Sequence, residues 1–198
     1  MDPQNPQSLK DLLKPKEKST NTEKVEGKVA EGLAFEKEIN LTCELYRLKK
    51  IAFIQKFDPP TRFVAPKPGQ PGKGFFVKGG KAGFDFVGAV IETKSPIFIE
   101  CKSTEKGSLP LWQEDSGLKK HQIEILMWLA DAGFTTMVLW KVRKAGIVYK
   151  FSITQLIEKL GVAKSLTVAD CEDLNFERLF KIKIGLTEYY DFLNKLEE

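Results

Sequence analysis

The sequence predicts a mixed α/β domain, a β-sheet with helices packed on it, from three observations. Short apolar runs rich in β-branched and aromatic residues recur through the chain: IAFIQKF (51–57), FDFVGAVI (84–91), PIFIEC (96–101), TTMVLWKV (135–142) and IVYKFS (147–152). Two stretches, about 25–49 and 117–132, carry apolar residues three or four apart and read as amphipathic helices. The second of these helices falls between two strands, which requires a crossover and so a sheet of mixed direction.

At 198 residues, with 42% hydrophobic and 29% charged, the chain has the size and balance of one domain with a sizeable core. No apolar stretch approaches the roughly 20 residues of a bilayer-spanning helix, and the first thirty residues lack the apolar centre of a signal peptide. No membrane association and a cytoplasmic location are the expectation. Cys43, Cys101 and Cys171 are odd in number and lack metal-binding spacing, so they read as reduced thiols and not as a zinc site.

Taken in order, residues 1–24 are polar with three prolines and read as a flexible tail ahead of a domain over 25–198. In the first helix Phe35, Ile39, Cys43 and Tyr46 form the apolar face, and Glu36 and Asn40 lie one turn apart. The strand at 51–57 is stopped by Pro59 and Pro60. PPTRFVAPKPGQPGKG then holds five prolines and three glycines, which excludes a central strand and predicts a projecting loop or ribbon over 59–80. Nine basic residues and one acid fall between Arg47 and Lys81, although the whole chain is only +4. Such a basic segment suits a polyanion, and Arg62, Lys67, Lys73, Lys78 and Lys81 are candidate DNA contacts.

Beyond the loop, FFVK (75–78), 84–91 and 96–101 read as a three-stranded meander. Phe75 and Phe76, beside the loop, suit either a core or stacking on unpaired bases. The helix over 117–132 finds its stop in Gly133, strands at 135–142 and 147–152 follow, and helical patterns begin near Thr154 and near Thr187. Trp112, Trp128 and Trp140 are assigned to packing.

Three charges stand where a buried sheet tolerates them least. Asp85 is flanked by Phe84 and Phe86, and Glu100 ends a run of Ile97, Phe98 and Ile99. Ionised carboxylates in such surroundings are costly unless paired or bound to a cation. Glu100 and Lys102 are two apart in a strand and emerge on one face. If the two strands are antiparallel neighbours, Asp85 lies beside Glu100. Two carboxylates and a lysine then suit Mg²⁺, with Mn²⁺ able to replace it, and phosphodiester hydrolysis. An acid-x-lysine pair by itself is as readily an ion pair at a sheet margin.

Here the pair has company. EGLAFEKEIN (31–40), GFDFVG (83–88), IFIECKST (97–104), SLPL (108–111) and HQIEIL (121–126) occur in the order in which the PD-(D/E)XK nucleases, and within them the RecU-type Holliday junction resolvases, carry similar motifs. The resemblance covers most of residues 31–160. It implies the restriction-endonuclease-like core, a homodimer, Mg²⁺-dependent cutting of four-way DNA junctions, and a basic stalk in the place of the loop. It implies further that Asp85 and Glu100 are metal ligands, that Gln122 helps to hold the metal, that Lys102 stabilises the transition state, and that SLPL is a short turn. Glu36 falls where such nucleases often place a helix carboxylate near the metal, and His121, beside Gln122, is a candidate phosphate contact. One departure is Gly83, where the family commonly has a threonine ligand; backbone or water must then fill that position. The alternatives are a nuclease of the same superfamily acting on flaps, ends or duplex sites, and a non-catalytic DNA-binding protein of the same fold. The intact acid, acid and lysine set favours cleavage.

Overall fold

The computed structural model describes residues 20–59, 61–64, 75–78, 82–161 and 163–196; for 20–31, 61–64 and 75–78 the description is of the backbone. The chain divides into two compact units, 1–31 and 32–198. Helix α1 (Thr20–Leu48) leads to β1 (Ala52–Lys56), then to a ribbon of β2 (Thr61–Val64) and β3 (Phe75–Lys78). Next come β4 (Phe86–Val90), β5 (Ser95–Thr104), β6 (Ser108–Gln113), β7 (Leu118–Lys119), α2 (Lys120–Asp131) and β8 (Thr135–Val142). The rest is β9 (Ile147–Phe151), α3 (Ile153–Leu160), β10 (Ser165–Thr167), α4 (Val168–Asp173), β11 (Glu177–Leu179), β12 (Lys181–Ile184) and β13 (Thr187–Tyr190).

A six-stranded mixed sheet in the order β1-β4-β5-β8-β9-β11 organises unit 32–198. Its pairs are antiparallel except β5–β8, which is parallel, as the crossover carrying α2 requires. Alternation along β5 assigns its faces: Ile97, Ile99 and Cys101 join the core under α1, and Phe98 joins the core on the α2 side, so Glu100 and Lys102 point that way too. Phe35, Ile39, Cys43 and Tyr46 of α1 fill the first core as their spacing predicts, and Ile123 and Leu126 of α2 fill the second with Val138 and Trp140. Gly88 lets β1 lie close on β4: a Cβ there would fall 2.0 Å from the carbonyl oxygen of Phe53.

Several expectations are corrected. α1 begins at Thr20, so the last residues of the expected tail are helical; the stretch 20–31 is free of proline and rich in Glu and Lys. Residues 1–19 lie outside the described residues. FFVK is not part of the meander, because β3 pairs antiparallel with β2, and β1 takes the place beside β4. The loop thus begins and ends as a two-stranded ribbon, and its stretch 65–74 lies outside the described residues. SLPL is a strand and not a turn, because Leu109 and Leu111 are buried at period two between β10 and β7. The helix expected near Thr187 is instead a hairpin: KIKI and TEYY alternate around Gly185, whose φ of 63° suits the tight turn. Trp140 packs fully buried as expected, but Trp128 is 70% exposed, since it lies on the side of α2 away from Ile123 and Leu126. Among the described residues no helix is long and apolar enough to cross a membrane.

Candidate active site

β4 starts at Phe86, one residue past Asp85, and β5 runs on to Thr104, so Glu100 lies within a strand and not at its end. Phe86 pairs with Ile99, which sets Asp85 opposite Glu100. The aspartate is pinned on both sides: its N–H donates to Ile99 O (2.9 Å), and its Oδ2 accepts from the Cys101 N–H (2.8 Å). Its own carbonyl accepts from the Phe57 N–H at 2.7 Å, closing the base of the loop that holds the ribbon. The ribbon therefore springs from beside the aspartate.

Glu100 is fully buried. One oxygen, Oε1, accepts from both Lys102 Nζ and Gln122 Nε2, each at 2.6 Å. The other, Oε2, is buried without a hydrogen-bond partner. A buried acceptor left in that state costs about 1–3 kcal/mol, and more when charged. Burial pushes the Glu100 carboxyl up to about 8, against the pull of Lys102 and with the help of Asp85. Burial likewise raises Asp85, opposed by the Cys101 N–H and Lys102. Two carboxyls raised by desolvation, Glu100 further by Asp85 and Asp85 by Glu36, with an oxygen lacking a partner, form a site short of positive charge.

Gln122 is buried in the first turn of α2, and its Oε1 accepts from the Lys119 N–H at 3.1 Å. Both ends of its amide are thus engaged, and it reaches the site by gripping Glu100. Glu36 of α1 is ion-paired with Lys56 of β1 at 2.7 Å, and both act electrostatically on Asp85, Glu36 raising and Lys56 lowering its carboxyl. Lys56 is itself raised, chiefly by Glu36. The sequence marked Lys56 only as one of a basic run; its relation to Asp85 appears when β1 pairs with β4 and Lys56 falls opposite Phe86. His121 is half-buried near the start of α2, its Nδ1 without a partner. Arg62 lies in β2 and Lys78 in β3 opposite Thr61, while Lys67, Lys73 and Lys81 lie outside the described residues, as do the side chains of Phe75 and Phe76.

No group of three or more His, Cys, Asp or Glu side chains converges to hold a metal among the described residues. The donors that do converge are carboxylate oxygens, which fit a hard cation content with one or two protein anchors and water or phosphate for the rest. The unpartnered Glu100 Oε2, a hard oxygen with lone pairs to donate, suits such an ion.

The family model for RecU, recombination protein U, matches residues 30–198. The chain belongs to the RecU family. It is a Holliday junction-resolving endonuclease, of a kind that works with divalent metal. No curated protein matches this RecU-family sequence. Among solved structures, Hjc, a Holliday junction resolvase from the archaeal hyperthermophile Archaeoglobus fulgidus, aligns over 70% of this chain and 90% of its own, with 16% identity and a TM-score of 0.41.

Proposed function

We propose that this RecU-family chain resolves four-way junctions as a Mg²⁺-dependent homodimer, with Asp85 and Glu100 as the metal ligands and Lys102 beside the scissile phosphate. The observation that carries the reading is Glu100: a buried carboxyl with Lys102 and Gln122 on one oxygen and nothing on the other. Mg²⁺, when bound, lowers the pKa of a water and neutralises phosphate charge. The chain's own part is positional. The Cys101 N–H orients Asp85, and Gln122 fixes Glu100 with Oε2 turned away from its donors. Lys102, with 17% of its side chain exposed, faces the charge that grows on the phosphate oxygens as water adds and the P–O bond to one sugar breaks. Glu36 and Lys56 supply a carboxylate and an ammonium at the margin of the site, and Mn²⁺ replaces Mg²⁺.

The ribbon takes the role of a stalk beside the cut, with Arg62 and Lys78 on its strands and Lys67, Lys73 and Lys81 as further phosphate contacts. His121 adds a phosphate contact from α2. Resolving a junction takes two cuts, and each chain brings one carboxylate and lysine set, so two copies act together. The exposed Trp128 and Phe134 support a second copy on the outer side of α2. The free, buried Cys43, Cys101 and Cys171 support a cytoplasmic setting.

The test is cleavage of a four-way junction. Asp85→Asn and Glu100→Gln are expected to lower cleavage at least about a thousandfold while leaving junction binding within a few-fold. A variant that still cuts well in Mg²⁺ would place the site elsewhere.

A further inference from the structure

Gly83 is buried two residues before Asp85, under α2. A Cβ at this position would fall 2.6 Å from both Cδ1 and Cγ2 of Ile125, and 2.8 Å from its Cβ. Side-chain rotation moves the first two atoms but not the third, which is fixed to the helix backbone. Carbon atoms in contact sit about 3.5–4.0 Å apart. Any residue but glycine therefore pushes α2 outward by about an ångström. Gln122 lies three residues earlier on the same helix, where i and i+3 share a face, and its Nε2 is 2.6 Å from Glu100 Oε1. A retreat of that size takes the amide out of hydrogen-bonding reach and leaves Lys102 as the sole donor to Glu100.

We propose that Gly83 is a positioning residue for the metal site: its missing side chain lets Ile125 seat α2 close enough for Gln122 to hold Glu100. The inference rests on the reading of Glu100 as a metal ligand.

Mg²⁺ binding to the full-length protein without DNA, followed by titration calorimetry, tests it. Partners that orient a ligand are typically worth about 10–100-fold in metal affinity. Gly83→Ala should weaken Mg²⁺ binding about tenfold, as Gln122→Ala should, and adding Gly83→Ala to Gln122→Ala should change little more. Ile125→Gly removes every clashing atom, so Gly83→Ala with Ile125→Gly should bind Mg²⁺ within about twofold of Ile125→Gly alone. The inference is overturned if Gly83→Ala binds as the native chain does, or if its effect persists in full on the Gln122→Ala background. Should Gly83→Ala alone fail to fold, the double variant decides, and weak binding by it overturns the proposal. Glu100→Gln separates the two readings. If that variant binds Mg²⁺ normally, the metal site itself is misplaced; if it loses Mg²⁺ and Gly83→Ala does not, only the positioning role falls.

Discussion

A carboxyl buried as deeply as Glu100 makes the metal-free protein sensitive to pH in an unusual direction. Its ordinary value is 4.5 and burial raises it to about 8, so across that window the folded chain keeps a proton that the unfolded chain has lost. Stability must then fall as pH rises from about 5 to about 8, the opposite of a salt-bridged carboxylate, and the raised Asp85 adds to the trend. The effect is on the order of a few kcal/mol, since each tenfold weakening of the acid is worth about 1.4 kcal/mol. Denaturant unfolding at stepped pH in chelator should show the decline. Glu100→Gln should flatten most of it, and Mg²⁺ should offset it; a native chain whose stability rises over this range sinks the account. The three charges were legible in the sequence because they were expensive where they stood. Lys56 was not, because no spacing rule relates residue 56 to residue 85; only the pairing of β1 with β4 does.

Among elements, β4 is set by one glycine. The Phe53 carbonyl comes so near Gly88 that a methyl group there would overlap it, and backbone cannot swing aside as a side chain can. Gly88→Ala should force β1 from the sheet edge and cost about 3 kcal/mol or more of unfolding free energy, a severe effect for a single methyl group. Urea unfolding measures it, and a loss under about 1 kcal/mol would mean that the edge strand yields easily. β1 also carries Lys56, so cleavage should fall with it. The elements read best from sequence were those with one strong periodicity: α1 through Phe35, Ile39, Cys43 and Tyr46, and β8 through its apolar run. SLPL, expected as a turn only through the family resemblance, is a strand because Leu109 and Leu111 are buried where β6 pairs with β10. The segment at Thr187 failed because Leu186, 99% exposed at the hairpin tip, lent its stretch a helical look.

At the scale of the whole molecule, the outer side of α2 is the face that the proposed second copy would cover. Lys120 stands at the start of the helix and Asp131 at its end, against the sense that the helix dipole favours. In an antiparallel meeting of two α2 helices each lysine lies near the other copy's aspartate, with the two Trp128 rings between. If the proposed dimer forms through this face, Trp128→Glu should convert it to monomer in sedimentation with the monomer still folded, and Lys120→Asp should weaken it until Asp131→Lys restores it. An unchanged sedimentation profile for both would move the interface to another face. The order of the sheet has a consequence in time. The β4–β5 hairpin is local and closes early, bringing Asp85, Glu100 and Lys102 together, whereas β5 meets β8 only across a connection of about thirty residues that contains α2. Gln122 travels in that connection. A chain still emerging or half-folded would thus hold Asp85, Glu100 and Lys102 without the amide that grips Glu100, so under the proposed function the ability to break DNA would wait for α2 to dock, and an unfinished chain would spare the genome.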